Sequence, residues 1–192
     1  MSARASTRKN GDMRVSTPDP ESNGGWLSGE DLEYVRRRVP ILYVEAIPVR
    51  LAPSGELEHI GLLLQANEDG VMTRAFVSGR VNYGESLRDT LNRHLEKDLG
   101  PMALPQLPAC LTPVTVAEYS PIPGARLVDE RQHAVSLVYV VPVSGECDPC
   151  ENALEVSWLT PGEALDPDLL EELEGGRARI LKTVIGQLSA WP

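Results

Sequence analysis

Apolar side chains are sparse over the first 25 residues, which are rich in Ser, Asp, Asn, Gly, Arg and Pro, and then arrive in short separated runs. Residues 1–25 therefore read as a disordered arm, and a single domain is expected over residues 26–192, beginning at Trp26. Ser28 is placed to cap a short helix over residues 29–38, with Asp31 near its positive end and a narrow apolar stripe of Leu32 and Val35. Residues 41–51 (ILYVEAIPVRL) read as a strand in which Pro48 suggests an edge or a bulge. After the turn chemistry of Pro53, Ser54 and Gly55, residues 59–65 and 71–77 read as two more strands, separated by a turn at residues 67–70. Then the period changes. Leu87, Leu91, Leu95 and Leu99 recur every fourth residue and predict an amphipathic helix over residues 85–99, stopped by Gly100 and Pro101. Past a Pro-rich crossing, residues 112–119, 134–143 and 154–159 predict three further strands, the second of them central because it is a β-branched and aromatic run. Residues 161–174 and 177–188 predict two closing helices, divided by Gly175 and Gly176. Strands interleaved with a few helices, without regular alternation, point to an α+β fold.

Charge and composition narrow the partners. The 192 residues carry 28 acidic and 18 basic side chains, a formal charge of −10. That argues against a nucleic-acid partner, which needs a basic surface, but leaves room for a local basic pocket facing a small phosphorylated ligand. No apolar stretch approaches the length of a membrane span and no leader pattern is present, so a soluble cytoplasmic protein without a membrane partner is expected. The cysteines Cys110, Cys147 and Cys150 are too few and odd in number for a disulfide scaffold, and the Cys147–Cys150 spacing reads as an incidental loop pair. The Arg36–Arg38 triplet reads as a solvated face or a basic rim. Along residues 177–188, Ile180, Leu181, Val184, Ile185 and Leu188 share a face that either docks onto the domain's own sheet or forms a homodimer contact.

The chemistry concentrates in residues 76–100 (FVSGRVNYGESLRDTLNRHLEKDLG). A strand runs through a Gly-containing loop into a helix, and the loop with the first helical turn offers N–H donors and a positive dipole end to a phosphate. Arg80 lies in that loop and Arg93 two turns into the helix, while His94, Lys97 and Asp98 share its polar side. Arg, Asp and Glu beside such a loop suit a diphosphate site assisted by Mg²⁺ or Mn²⁺, because these ions take hard oxygen ligands. A solvated surface helix is the other reading of the same charges. Ser78 lacks the strand-to-helix elbow of a serine hydrolase. His133 reads as a strand-edge histidine and His59 as a surface one.

This stretch resembles the Nudix box, G-x5-E-x7-R-E-U-x-E-E-x-G-U with U a bulky apolar residue. Gly79, Glu85, Arg93, Leu95 and Gly100 stand at its spacings, and Asp98 occupies the position of its last glutamate. Trp158 to Pro161 resembles the Trp-Leu-Thr/Ser-Pro step of the same family, so the similarity spans roughly residues 41–188. The resemblance implies a Nudix-like αβα sandwich with a mixed sheet and a hydrolase of nucleoside diphosphate derivatives. Two acidic box positions are occupied by His94 and Lys97, and Glu96 falls at a variable position, so a multi-metal site of the usual kind is not expected.

The run GRVNYGESL, residues 79–87, is similar to the variant box of GDP-mannose mannosyl hydrolases, which lack the same two glutamates. Carried over by position, that resemblance implies a nucleotide-sugar substrate, catalytic roles for Glu85, Arg93 and His133, and substrate binding by Ser78, Gly79 and Arg80. It implies one metal ion held by Asp98 and Glu85, with the amide oxygen of Asn152. The family's base histidine has no counterpart, since Ala153 stands there, leaving Glu151, Glu155 or His133 to take the proton. Two functions are therefore expected to compete: a metal-dependent Nudix hydrolase, and a Nudix-fold module that binds a nucleotide-like ligand or a protein partner with little turnover.

Overall fold

The computed structural model describes residues 27–67, 70–149 and 153–189. The N-terminal arm, Trp26, Cys150, Glu151 and Asn152 lie outside the described residues. Helix α1 (Gly29–Arg36) begins where Ser28 accepts a hydrogen bond from the Asp31 amide, as its sequence requires. The strands are β1 (Ile41–Leu51), β2 (Leu57–Ala66), β3 (Met72–Ala75), β4 (Val77–Arg80), β5 (Thr115–Tyr119), β6 (Ala134–Pro142) and β7 (Ala153–Leu159). Helix α2 (Leu87–Leu99) follows β4, and α3 (Pro167–Glu171) and α4 (Arg177–Ser189) follow β7.

Strand β1 organises the mixed sheet. One edge runs parallel to β6, and the other is shared between two antiparallel partners: β4 along Tyr43–Ala46 and β2 along Val49–Leu51. Pro48 falls between those two ladders. Strand β1 is thus interior rather than an edge, and the proline is tolerated because the missing N–H lies where the partner changes. Strand β2 carries β3 and β7 in turn, and β5 closes the far side of β6. The predicted single strand over residues 71–77 is two, because Phe76 turns into the core as the chain leaves β2 for β1.

The pleat sorts the side chains. Val44 and Ala46 meet Leu91, Leu95 and Leu99 of α2 on one face, while Ile47 and Val49 meet Leu170 of α3 and Ile180, Leu181, Val184 and Ile185 of α4 on the other. The architecture is an α+β sandwich with helices on both faces of a mixed sheet, as expected. The apolar face of α4 is taken up by the chain's own core. Two helices replace the predicted one over residues 161–174: a single 3₁₀ turn, Glu163–Leu165, precedes α3, and Pro167 starts the latter after Asp166 has left helical geometry.

Candidate functional site

The β4–α2 junction is built from the end of a four-residue strand, a short loop and a capped helix. Ser86 caps α2 by accepting from the Asp89 amide, which leaves Glu85 just outside the helix with its carboxylate turned back over the loop. Arg93 grips that carboxylate at both oxygens, Nε to Oε1 at 2.7 Å and Nη2 to Oε2 at 2.6 Å. The Asn82 amide donates to the same Oε2 at 3.1 Å, and Arg93 Nη2 also donates to the Arg80 carbonyl at 3.1 Å. One guanidinium therefore ties the strand end, the loop and the helix together. Its hydrogen bonds hold the Glu85 carboxyl down at about 2, despite partial burial.

His94 closes the junction from the helix side. Its ring lies flat against Gly79, so close that a Cβ built on the glycine would stand 1.7 Å from His94 Cε1. Nε2 sits 3.1 Å from Arg93 Nη1 and 3.3 Å from the Arg80 carbonyl oxygen, and Nδ1 has no hydrogen-bond partner. Burial, with the neighbouring Arg93 and Lys97 charges, pushes the imidazole down to about 4, so it is neutral at physiological pH. The side chain that replaces the glutamate after Arg93 is thus packing against the loop backbone.

The divalent ion expected from the resemblance would compete here with a cation already in place. Lys97 Nζ stands 2.7 Å from Asp98 Oδ1, and the Asp98 side chain is only 7% exposed. The cation beside Asp98 is the chain's own ammonium, and Glu85 is committed to Arg93. Among the described residues, no three His, Cys, Asp or Glu side chains come together as a metal-binding set. Asn152, the expected amide ligand, lies outside the described residues.

The structure brings together Gly79, Arg80, Glu85, Arg93 and Asp98 along β4 and α2, but it does so on two faces. Arg80 is paired with Tyr43, and Ser78 with Glu45, so by the pleat both side chains belong to the face opposite α2; only the Arg80 carbonyl reaches the helix. His133 is elsewhere, exposed and 2.9 Å from Glu118, near the Arg36–Arg38 segment. In that segment Arg36 donates to Gln132, while Arg37 and Arg38 are exposed, Arg38 stacking on Tyr34 of its own helix, so a solvated face describes the last two. Glu155, the other candidate base among the described residues, accepts from Ser157 Oγ on β7.

Sequence reasoning missed a polar trio around a buried carboxylate on that opposite face. Glu45 is 1% exposed; it accepts from Arg177 Nε at 2.7 Å and from the Tyr119 hydroxyl at 2.9 Å. Burial and the adjacent carboxylate push the Tyr119 phenol well above its ordinary value. The available signal was that Glu45 is the one charge within residues 41–49, an otherwise uncharged run that no half-exposed strand face explains.

The family model described as a domain of unknown function (DUF4916) matches residues 22–190. Among solved structures, a Jonesia denitrificans protein described as a possible asymmetric diadenosine tetraphosphate hydrolase is 52% identical, with a TM-score of 0.77 over 81% of this chain and 98% of that one. The NUDIX domain of Shewanella oneidensis NrtR, solved with ADP ribose, is 16% identical, with a TM-score of 0.57 over 84% of this chain and 99% of that one. A bifunctional NMN adenylyltransferase/ADP ribose pyrophosphatase from Francisella tularensis, solved with AMP and a Mn ion, is 13% identical, with a TM-score of 0.57 over 83% of this chain and 45% of its own. No curated protein matches the sequence. Among the described residues, no helix is long and apolar enough to cross a membrane.

Proposed function

The chain belongs to the DUF4916 family and carries the Nudix hydrolase fold, and from that premise we propose that it binds a nucleoside diphosphate derivative, of the nucleotide-sugar or dinucleotide class, without using a divalent metal ion. The observation that carries this reading is the internal neutralisation of the box acids, Asp98 by Lys97 at 2.7 Å and Glu85 by Arg93. An added dication would have to displace an ammonium from Asp98 and would meet its repulsion at close range. The loop and helix geometry that a phosphate needs is nevertheless kept, clamped by Arg93 through the Arg80 carbonyl and Glu85. Arg80 supplies a charge for the diphosphate at the end of β4. Bound at this place, the ligand meets cationic side chains in place of a metal, and no described residue stands ready to activate water beside them.

A second reading is a metal-dependent hydrolase of the same ligand class, using Mg²⁺ or Mn²⁺. It is favoured by the likeness to the Jonesia protein and by the persistence of Gly79, Glu85, Arg93 and Asp98 in one junction.

Titration calorimetry of the purified chain with ADP-ribose, GDP-mannose and diadenosine tetraphosphate, in Mg²⁺, in Mn²⁺ and in EDTA, tests the two. Product analysis is run on the same samples. Binding of one class that is the same in EDTA, with no product formed, is expected. Metal-dependent product that vanishes in Asp98→Ala would overturn the metal-free reading in favour of the hydrolase.

A further inference from the structure

At one end of the sheet, the close of α1 and the link into β1 face the segment that leads into β6 across an open cleft of about 350 Å³. Its lining is basic: Arg36, Arg37 and Arg38 come from one side, Arg131 and His133 from the other, and no carboxylate lines it. The chain as a whole is the reverse, with 28 acidic and 18 basic side chains. The two sides are locked together, since Arg36 Nε donates to Gln132 Oε1 and the Ile41 amide to the His133 carbonyl, both at 2.9 Å. A basic last turn is ordinary at a helix C-terminus, where it meets the negative end of the dipole. That accounts for the Arg36–Arg38 run but not for Arg131 and His133, since the Arg36–Gln132 contact joins segments 96 residues apart. The guanidinium groups are also held in place. Glu33 holds Arg36 at 2.6 Å, Asp129 holds Arg131 at 3.0 Å, and Arg38 lies 3.5 Å over the Tyr34 ring. Arg37 and Arg38 are exposed, and among the described residues no carboxylate pairs with either.

We propose that this cleft binds an oligophosphate chain, either free or as the tail of a nucleotide. The inference stands apart from the proposed function, because no residue of the β4–α2 junction lines the cleft. Arg37 and Arg38 bring charge that no neighbouring carboxylate neutralises, and each guanidinium carries five donors, more than the one carboxylate beside Arg36 or Arg131 takes up. Groups spread along both sides of a cleft ask for several anionic oxygens at once. A lone carboxylate supplies two. A diphosphate or triphosphate supplies charge and acceptors for both sides, and the planar guanidinium fork matches phosphate oxygens in pairs. With three of the four arginines already positioned, little side-chain freedom is lost on binding. The size agrees: at ~30 Å³ of liquid volume per water, 350 Å³ is the space of about a dozen waters. The seven oxygens and two phosphorus atoms of a diphosphate fit within it. A nucleic acid is disfavoured, because a long polyanion leaving the cleft would cross a surface whose surplus is acidic.

The test is calorimetry at low salt on the full chain, with orthophosphate, pyrophosphate, tripolyphosphate, ATP and a single-stranded RNA oligonucleotide as probes. It compares the wild type with the double variant Arg37→Ala, Arg38→Ala, with Arg80→Ala, and with Arg179→Ala as a charge control on α4 outside the cleft. Both altered cleft arginines are exposed, so the melting temperature without anion is expected to stay near that of the wild type. Pyrophosphate and tripolyphosphate are expected to bind more tightly than orthophosphate and to weaken roughly five- to thirty-fold in the double variant, two exposed charge pairs, with Arg179→Ala unchanged. Tripolyphosphate bound as tightly as ATP identifies the free chain as the occupant; ATP bound more tightly, and weakened by the same double variant, identifies the nucleotide tail. Binding that Arg80→Ala removes and the double variant keeps would place the anion at the β4–α2 junction and overturn the cleft while the proposed function stands. An equal loss in Arg179→Ala would reduce the effect to net charge and overturn it too. RNA bound more tightly than tripolyphosphate through the same two arginines would overturn the small anion in favour of a nucleic-acid surface. No binding of any phosphate chain overturns the inference outright.

Discussion

The neutral His94 ring makes a sharp forecast about acid stability. Its imidazole titrates near 4 in the folded chain because it is buried among cationic neighbours, and near 6.5 once the chain unfolds. A folded pKa below the unfolded one means stability that is complete above pH 6.5 and is lost as pH falls towards 4. The full difference, about 2.5 pH units at 1.36 kcal/mol each, is ~3 kcal/mol. At pH 5 the unfolded state is almost fully protonated while the folded state is mostly not, which amounts to about 2 kcal/mol lost relative to pH 7.5. Urea unfolding of the wild type and of His94→Gln at pH 7.5, 6.5, 5.5 and 5.0 reads this directly. Other groups titrate in both proteins, so the quantity of interest is the difference in slope. The wild type should lose about 2 kcal/mol more than His94→Gln over that range, with the divergence already visible at pH 5.5, above the range of Glu85. Parallel curves would refute the packing of His94 against Gly79 as a buried neutral ring.

The same junction makes two further forecasts. Lys97→Glu replaces the ammonium beside Asp98 with a second carboxylate; Mn²⁺ binding, followed by electron paramagnetic resonance, should appear in the variant and be absent from the wild type. Tight Mn²⁺ binding by the wild type would contradict the ion pair as drawn. Gly79→Ala places a methyl group 1.7 Å from His94 Cε1 and should cost about 1–3 kcal/mol or more by overpacking; adding His94→Ala should recover part of that loss, and a double variant no better than the single one would show that the clash lies elsewhere.

The layer order was legible because its signals are local. The leucine period of α2 and the Gly100 stop are written within fourteen residues, and the β-branched run of β6 marks a strand buried on both sides. Even Pro48 was informative, though it marks a change of partner in an interior strand where an edge or a bulge was expected. The site was less legible because its partners come from far along the chain. Spacing could place Arg80 beside Arg93 in sequence, but only the register of β4 on β1 shows that the backbone of Arg80 serves the helix and its side chain the other face. Likewise Glu45, Tyr119 and Arg177 meet from three elements, and no periodicity links them. The substitution of glutamates by His94 and Lys97 was visible at once. What it does, filling the loop and occupying the acid, needed coordinates.

The bond from Glu45 to Arg177 spans 132 residues of chain, and that separation has a temporal meaning. As the polypeptide grows from its N-terminus, domains gather as units once enough chain is available. Strand β1 and its acid are made well before Arg177, and over those 132 residues that acid lacks this base. A buried carboxylate without its partner is costly, so the sheet cannot close over Glu45 in its final form until residue 177 has been made. Truncations that stop short of Arg177 should therefore be recognised by the cell as unfinished, whatever the quality of the sheet that precedes it. The acid is laid down first and its base last, so the closed Glu45–Arg177 pair marks a finished sheet and helix.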